Sequence, residues 1–322
     1  NLFKEKKRLI SVGIVILAVV CGFSLFIQSS RFDDSLKIKM FKPQESYRKY
    51  GDYLTFTHSI RYIKGHKPEG YSEDKVEQIS AQYPGIKGNG KKPNIIMIMN
   101  EALADFSSIS DIETNEDYMP FIHGLTENTV KGDLFVSIFG GGTSKTEYEA
   151  LTSNSMAFMP KGSTPYVTYI NRKTSSLATT LRAQGYGGMV AMHPHKGSGY
   201  KRNKVYPFLG FDKFYDLPEF NNAKVIRNHV SDEGNFDKII EVYEQNRKKD
   251  KKPFFLFDVT MQNHNPYTKK SSFKEPIKVT SFQADPEVEQ YLSLIHESDA
   301  ALQKLIAYYE KQPEQAVIVF FG

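Results

Sequence analysis

The sequence predicts an α/β fold with a largely parallel central sheet flanked by helices. Two patterns lead to this prediction: short, continuous apolar runs, and longer segments with helical periodicity between them. Runs of this length are typical of strands that are buried on both faces, and strands that alternate with helices favour parallel pairing. The runs occupy residues 95–99, 134–139, 188–192, 254–259 and 317–321.

Three helical segments separate the predicted strands. The first covers residues 175–184, and the second runs to residue 247 from Ser231, a residue type that often caps helices. The third begins at Asp285-Pro286, where proline suits the first helical turn, and its apolar residues recur at helical spacing as far as Tyr309. With 40% hydrophobic residues, the chain can bury a sizeable core.

The N-terminal part carries a membrane-spanning pattern. Residues 9–30 contain no charge and are long enough to cross a bilayer as a helix. Lys4, Lys6, Lys7 and Arg8 precede this stretch, against the single acid Glu5, so the positive-inside rule places that end in the cytoplasm. A cleaved signal peptide is the alternative, although its apolar region is usually shorter. We therefore expect a protein of the cell membrane whose main domain is extracellular.

The predicted organisation has three parts. Residues 1–30 form a cytoplasmic end and a transmembrane helix, residues 31–92 a juxtamembrane connector, and residues 93–322 the α/β domain. Because the first residue is asparagine rather than methionine, we also expect an upstream part, with the number of further spans left open. Cys21 is the single cysteine and lies in the apolar stretch, so no disulfide can form in the α/β domain. The net charge of +5 is scattered, which gives nucleic-acid binding little support.

Polar side chains that could bind a ligand or take part in catalysis follow four of the five apolar runs. Glu101, Thr143, His193 and His264 stand just past them, and in parallel sheets ligands bind beyond the carboxyl ends of the strands. Three glycines precede Thr143, so its hydroxyl and that of Ser144 would lie at a helix N-terminus, which favours anions. Each residue also has a plainer interpretation: Thr143 as an N-cap, Glu101 as a satisfied strand end, and His264 as a structural hydrogen-bonding residue.

The loop after the third run concentrates polar groups. Residues 193–203 read His-Pro-His-Lys-Gly-Ser-Gly-Tyr-Lys-Arg-Asn and place imidazoles, a phenol and cations together. Arginine can bind phosphate in a bidentate manner, and lysine supplies a point charge. A solvated basic loop is the plainer interpretation, but two histidines directly after a buried strand favour a binding role. Asp105 could add a second carboxylate near Glu101, although a surface charge is the simpler interpretation.

Several motifs together resemble the lipoteichoic acid synthases and related phosphoglycerol transferases of the sulfatase and alkaline-phosphatase-like superfamily. They are Pro-Asn-Ile-Ile through Asn-Glu at 93–101, Gly-Gly-Gly-Thr-Ser-Lys-Thr-Glu-Tyr at 140–148, the loop with His193, Tyr200 and Arg202, and Asn-His-Asn-Pro-Tyr at 263–267. The resemblance covers residues 93–322. It implies a metal-dependent transferase with a sulfatase-like fold.

The resemblance also implies a nucleophile and a metal site. Thr143 would be the nucleophile and a ligand of Mn²⁺ or Mg²⁺, and Glu101 would be a second ligand. The family's remaining ligands are an Asp-His pair that follows a strand ending in Phe-Gly, and this sequence reaches Phe321-Gly322 and stops. We therefore expect a C-terminally truncated domain that, as it stands, binds metal weakly and is inactive.

Substrate binding follows from the same resemblance. Arg202 and His264 would hold phosphate oxygens, while His193 and Tyr200 would orient glycerol. The donor would be phosphatidylglycerol, and the acceptor a glycerol-phosphate polymer or a glycolipid in a Gram-positive-type bacterium. His195 stands where the family often has a small polar or acidic residue, and Tyr200 where it often has tryptophan.

Other functions remain open at this stage. A phosphoethanolamine transferase or a phosphodiesterase would use the same site, and a non-catalytic homologue would bind polymer without transfer. Sulfate ester hydrolysis is disfavoured, because residues 143–146 lack the proline and arginine of a C/S-x-P-x-R motif.

Overall fold

A computed structural model describes residues 2–29, 32, 36, 38, 43–60, 69–83, 90–138, 141–159, 162–267, 273–274 and 276–322. The chain divides into two compact units, residues 1–85 with 158–164, and residues 86–157 with 165–322. Among its described residues, the first unit has four α-helices: α1 (Leu2–Gln28), α2 (Pro43–Tyr50), α3 (Asp52–Ile60) and α4 (Glu73–Gln82).

Helix α1 includes the predicted span. Its segment Glu5–Ile27 is long and apolar enough to cross a membrane, and none of it is buried against the rest of the protein. Helix α4 begins after Ser72, whose hydroxyl accepts a hydrogen bond from the Lys75 N–H at 3.1 Å. This cap satisfies one of the free N–H groups at the start of the helix.

The second unit is built on a parallel sheet, as the sequence predicts. The strands of this unit are β1 (Asn94–Met99), β2 (Met189–Met192), β3 (Lys213–Tyr215), β4 (Val225–Ile226), β5 (His229–Val230), β6 (Phe255–Val259) and β7 (Ala316–Phe321). The sheet has the strand order β3-β2-β6-β1-β7, and all adjacent pairs are parallel. A separate antiparallel hairpin pairs β4 with β5.

Seven α-helices of the second unit are described in the structure. They are α5 (Pro120–Gly124), α6 (Thr143–Thr152), α7 (Pro165–Thr168), α8 (Leu177–Ala183), α9 (Arg202–Phe208), α10 (Asp232–Lys249) and α11 (Pro286–Tyr309). Short 3₁₀ helices cover Phe106–Ser108, Met156–Phe158, Gly199–Lys201 and Leu217–Phe220. The predicted starts of α10 and α11 are confirmed, because Ser231 and Asp285 cap them through their side chains.

Helices cover both faces of the sheet. Side chains of α10 and α11, among them Phe236 and Leu302, pack with Ile96 and Leu256 in one core. On the opposite face, the ring of Tyr206 in α9 lies 6.4 Å from that of Phe257. This three-layer arrangement explains why the central strands read as continuous apolar runs.

One predicted strand is wrong. Residues 134–138 form no strand, and the predicted end at Phe139 lies outside the described residues. Phe135 is 93% exposed, and Leu134 and Val136 are exposed as well. A strand needs a hydrogen-bonding neighbour and a buried face, and this segment has neither within the described part of the unit. The sequence pattern also missed β3, which has only three residues.

Candidate active site

The carboxyl ends of the central strands meet at one edge of the sheet. Met99 pairs with Val259 on one side and with Phe321 on the other, so the segments that follow β1, β6 and β7 leave the sheet together. The Glu101 N–H donates a hydrogen bond to the hydroxyl of Thr260 at 3.1 Å. The residue after β6 therefore holds the turn after β1.

The turn at Glu101 is also fixed from α11. Ala102 has a left-handed backbone with φ of 63°, which is unfavourable for a residue with a side chain. The Tyr291 hydroxyl donates to the Ala102 carbonyl at 2.7 Å and accepts from the Ala104 N–H at 2.8 Å. These bonds hold the strained turn and so fix the position of the Glu101 side chain.

Thr143 lies directly opposite. It is the first residue of α6, and Gly142 before it has φ of +80°, a conformation that favours glycine. The Thr143 hydroxyl lies 3.4 Å from Oε1 of Glu101. The sequence placed these residues past two different strands, and the fold brings their oxygens together at the N-terminus of a ten-residue helix.

The Glu101 carboxylate is suited to a cation. Its Oε2 is buried and has no hydrogen-bond partner among the described residues. Burial raises the pKa of Glu101, although the positive charges of His264 and Arg202 and the hydrogen bond from Thr143 oppose that shift. An unpaired buried carboxylate oxygen beside a hydroxyl matches the oxygen ligands of Mg²⁺ or Mn²⁺. The described residues contain no cluster of three or more His, Cys, Asp or Glu side chains that could hold a metal alone.

Arg202 has a partner that the sequence analysis did not foresee. Its side chain is only 2% exposed, and its Nε donates to the Glu147 carboxylate at 3.1 and 3.2 Å. Its Nη2 also donates to Glu147. The hydroxyl of Tyr206 donates to the same carboxylate at 2.7 Å. Two of the three guanidinium nitrogens thus bind Glu147, and Nη1 donates no hydrogen bond to the residues that the structure describes.

Glu147 was overlooked because its role depends on a distant part of the chain. It stands four residues after Thr143, one turn further along the same helix, and it is completely buried. The available signal in the sequence was that Glu147 stands beside Tyr148 and one helical turn before Leu151, which indicates an acid on a buried helix face. A buried carboxylate normally has a cationic partner. The Glu147–Arg202 pair ties α6, which carries Thr143, to the start of α9.

Tyr200 packs on Arg202. The centre of its ring lies 5.0 Å from the guanidinium carbon, a cation–π distance. Tyr200 and Lys201 have left-handed φ angles of 51° and 59°, each of which costs about 1–2 kcal/mol for a non-glycine residue. Such strain is typical of loops whose side chains are held for binding.

His193 lies deeper in the site. It is 3% exposed, and its Nδ1 lies 2.8 Å from the Val259 carbonyl. Burial and the charge of Arg202 hold the pKa of His193 well below its usual value, so the ring is neutral. Nδ1–H must donate to the carbonyl, which leaves Nε2 as an acceptor. The ring of His195 lies 5.8 Å away.

His264 follows β6 and faces the same edge. Its Nδ1 lies 2.7 Å from the Asn265 carbonyl, which leaves Nε2 for a ligand. The ring of His229 in β5 lies 6.1 Å from that of His264. Asp105, by contrast, does not join Glu101: it accepts hydrogen bonds from Tyr118 and caps the 3₁₀ helix Phe106–Ser108.

A buried polar network lies behind Glu101, and no sequence pattern indicated it. Asp232 is fully buried and accepts hydrogen bonds from Asn100 and Ser298, each at 2.6 Å. Burial raises the pKa of Asp232 to about 6. Asp258, in the middle of the sheet, accepts from Asn235 at 2.6 Å, and burial raises its pKa well above the usual range.

Comparison with known proteins finds relatives of this chain among curated sequences. A cyclic beta-1,2-glucan modification protein of Rhizobium meliloti is 31% identical over 99% of this chain and 50% of its own length. The lipoteichoic acid synthase of Staphylococcus aureus is 28% identical over 78% of this chain and 38% of its own length. The chain spans half or less of the length of these curated relatives.

Solved structures share the fold. The lipoteichoic acid synthase LtaP from Listeria monocytogenes matches with a TM-score of 0.63 and 25% identity, over 77% of this chain and 60% of that one. The Streptococcus pyogenes phosphoglycerol transferase GacH matches with a TM-score of 0.67 and 24% identity, over 80% and 69%. The family model described as Sulfatase matches residues 93–322. With that match over most of the sequence, a parallel sheet and polar residues at its carboxyl edge, the chain belongs to the sulfatase family.

Proposed function

We propose that this chain is the membrane-anchored part of a phosphoglycerol transferase that uses Thr143 as its nucleophile. The observation that carries the proposal is the 3.4 Å approach of the Thr143 hydroxyl to Glu101 at a helix N-terminus. Similarity to lipoteichoic acid synthases over 78% of the chain supports transfer of a phosphoglycerol group. The donor is phosphatidylglycerol in the outer leaflet.

The reaction has two displacements at phosphorus. The Thr143 oxygen, having lost its proton, forms a bond to phosphorus, and the bond from phosphorus to the diacylglycerol oxygen breaks. Diacylglycerol leaves with a proton, and phosphoglycerol stays attached to Thr143. The oxygen of an acceptor hydroxyl then forms a bond to phosphorus and gives up its proton. The bond from phosphorus to the Thr143 oxygen breaks, and that oxygen takes up a proton.

The other site residues bind the phosphoglycerol. Nη1 of Arg202 is a donor available for phosphate oxygens, and Nε2 of His264 becomes a second donor when its ring carries both protons. The Glu147 carboxylate fixes the direction of the Arg202 fork. The neutral His193 offers Nε2 as an acceptor for a glycerol hydroxyl. The ring of Tyr200, stacked on Arg202, gives the glycerol carbons a flat surface.

A divalent cation, Mn²⁺ or Mg²⁺, completes the proposal. Glu101 Oε2 and the Thr143 hydroxyl would hold one side of it, and the cation would lower the pKa of that hydroxyl. Gly322, at the carboxyl end of β7, packs so tightly against Asn100 and Leu103 that a side chain would not fit there. The end of β7 therefore lies next to the turn that carries Glu101, and the Asp-His ligands that the resemblance implies would start from this end.

The membrane part of the proposal rests on α1. Residues 1–30 would be the cytoplasmic end and the span, residues 31–92 the connector, and residues 93–322 the extracellular domain. Anchoring raises the concentration of a lipid donor at the site, since donor and enzyme share one surface.

The acceptor has two candidates. A glycerol-phosphate polymer or glycolipid follows from the lipoteichoic acid synthases. A cyclic glucan is the second candidate, because the Rhizobium meliloti relative is similar over 99% of the chain, including the N-terminal helix. Transfer of phosphoethanolamine, hydrolysis to free glycerol phosphate and polymer binding without catalysis remain the alternatives for the same pocket.

The test uses the intact gene product with fluorescent phosphatidylglycerol and Mn²⁺, and measures diacylglycerol release. Thr143→Ala should abolish release, and mass spectrometry of the parent protein should find phosphoglycerol on the peptide that contains Thr143. Ser144→Ala is the matched control: it removes the neighbouring hydroxyl, which is buried and unpartnered among the described residues. Release at the parental rate by Thr143→Ala would refute the proposed nucleophile.

Donor and acceptor are tested in the same assay. Phosphatidylethanolamine as donor should give no release, whereas equal release from both lipids would favour a phosphoethanolamine transferase. Addition of a cyclic glucan or of a glycolipid should show which one receives the phosphoglycerol. Release of free glycerol phosphate with neither acceptor modified would favour a phosphodiesterase.

A further inference from the structure

Helix α3 in the first unit has its apolar side turned outwards. Thr55 and His58 on one side are 1% and 2% exposed. Tyr53, Phe56 and Ile60, at spacings of three and four residues, share the opposite side and are 90%, 61% and 47% exposed. A helix of a water-soluble protein normally shows the reverse arrangement, and a contiguous apolar stripe of this kind marks a contact surface.

The buried side of α3 is tied to the end of α1. The ring of Phe32, itself only 3% exposed, lies 5.4 Å from Phe26 in α1 and 5.8 Å from His58 in α3. Phe26 stands at the end of the segment Glu5–Ile27 that is long enough to span a membrane. These aromatic contacts hold α3 close to the point where α1 would leave the bilayer.

Two exposed cations beside α3 suit an anionic lipid surface, whereas the exposed Asp52 is the first residue of the helix, where the helix dipole favours an acid. Arg48 and Lys49 are exposed at the end of α2, directly before α3, and the Lys49 ammonium lies 5.1 Å from the ring of Tyr50. Lysine and arginine near a membrane surface are attracted by anionic lipids, and tyrosine is enriched at the level of the head groups. An apolar stripe with adjacent cations is the pattern of a helix that lies in the membrane interface.

We propose that α3 lies along the outer surface of the bilayer, with Tyr53, Phe56 and Ile60 inserted among the lipid head groups and upper acyl chains. Helices of this kind bury their apolar side roughly 5–10 Å into the boundary between head groups and acyl chains. The inference rests on the proposed membrane span of α1. It goes beyond that span, because it assigns a second contact with the lipid to α3 within the connector at residues 31–92.

The test exploits the absence of tryptophan from the sequence. Three variants of the intact chain, each with one tryptophan, are reconstituted in vesicles of phosphatidylglycerol and brominated phosphatidylcholine: Phe56→Trp, Leu17→Trp and Phe282→Trp. Leu17 lies within the proposed span, and Phe282, 55% exposed in the second unit, is the control for water exposure. Bromines at the top of the acyl chains should quench Phe56→Trp strongly and shift its emission to shorter wavelength. Bromines near the chain ends should quench Leu17→Trp, and Phe282→Trp should respond to neither.

The outcomes separate this inference from the proposed span. If Leu17→Trp is quenched while Phe56→Trp behaves as Phe282→Trp does, α3 lies in water and the inference fails while the span stands. A blue-shifted Phe56→Trp that bromine does not quench would show that protein covers the stripe, which also overturns it. If Leu17→Trp escapes quenching as well, both the span and the inference fail. Tyr53→Trp repeats the measurement at a second position, and a parental circular dichroism spectrum verifies folding.

Discussion

The buried Glu147–Arg202 pair makes a quantitative prediction about how the site is held. Glu147→Gln keeps the shape of the side chain and removes its charge. The carboxylate now accepts from Nε and Nη2 of Arg202 and from the Tyr206 hydroxyl, with no exposure to solvent. After the substitution, the guanidinium stays buried without a counter-charge, which is the costly situation for a buried ion pair.

The expected effect is large. Breaking a buried ion pair by removing one partner lowers the free energy of unfolding by about 3–5 kcal/mol. For a unit of this size, each kcal/mol lowers the melting temperature by about 2–4 °C, so the expected decrease is about 6–20 °C. The measurement is thermal unfolding of the detergent-solubilised chain, followed by circular dichroism or tyrosine fluorescence.

Glu149→Gln is the matched control in the same helix. Glu149 is only half-buried and accepts from the Ser137 hydroxyl at 2.8 Å and the Met156 N–H at 2.7 Å, with no cationic partner among the described residues. Because glutamine can still accept both bonds, this change should cost only about 1 kcal/mol.

A double variant tests the pairing itself. Glu147→Gln combined with Arg202→Met removes both charges, and it should be more stable than the sum of the two single effects predicts. The reasoning is refuted if Glu147→Gln melts within a few degrees of Glu149→Gln, or if the two single changes are simply additive.

Two predictions concern pH. Burial lowers the pKa of His123, but hydrogen bonds and attraction to Asp117 and Asp105 outweigh burial and raise the pKa above the usual value. The folded protein therefore binds this proton more tightly than the unfolded chain does. The resulting stabilisation of the fold is fully present below the ordinary histidine pKa and is lost as pH rises through the raised value. In His123→Gln the melting temperature should therefore depend less on pH between mildly acidic and mildly alkaline conditions. An unchanged pH dependence would show that the ion pairs of His123 do not stabilise the fold. Burial raises the pKa of Asp232 to about 6. Above that pH the charged carboxylate lowers the free energy of unfolding by roughly 3 kcal/mol. This loss disappears as pH falls towards the usual aspartate pKa. Relative to the parent, Asp232→Asn should gain stability at neutral pH and lose that advantage near pH 4, which denaturant unfolding at the two pH values would measure; a constant difference would disprove the shift.

The elements that the sequence predicted correctly are those with a strong local pattern. The strands β1, β2 and β6 are continuous apolar runs, because helices bury both of their faces. The edge strand β7 is also an apolar run, although Val317 and Val319 on one of its faces are exposed. The caps Ser231 and Asp285 depend on bonds to residues three and two positions further along the chain, so a short window of sequence contains the whole interaction. The same applies to the apolar helix α1, whose length and composition suffice to identify a candidate span.

The failures occurred where the deciding neighbour is remote. Residues 134–138 have the composition of a strand but pair with no strand in the described part of the chain, and β3 is too short to show a pattern. Arg202 stays a predicted phosphate-binding residue, but no local pattern indicated that Glu147, 55 residues earlier, binds its Nε and Nη2.

By itself, the sequence determined four of the five strands of the parallel sheet and the long helices, and it indicated that polar residues follow the strands, because these properties depend on near neighbours along the chain. Only the tertiary structure decided that Thr143 meets Glu101, that Arg202 is held by Glu147, and that Asp232 is buried behind them. Those contacts join residues from different strands and helices, and their energies exist only once the parallel sheet has aligned its carboxyl ends.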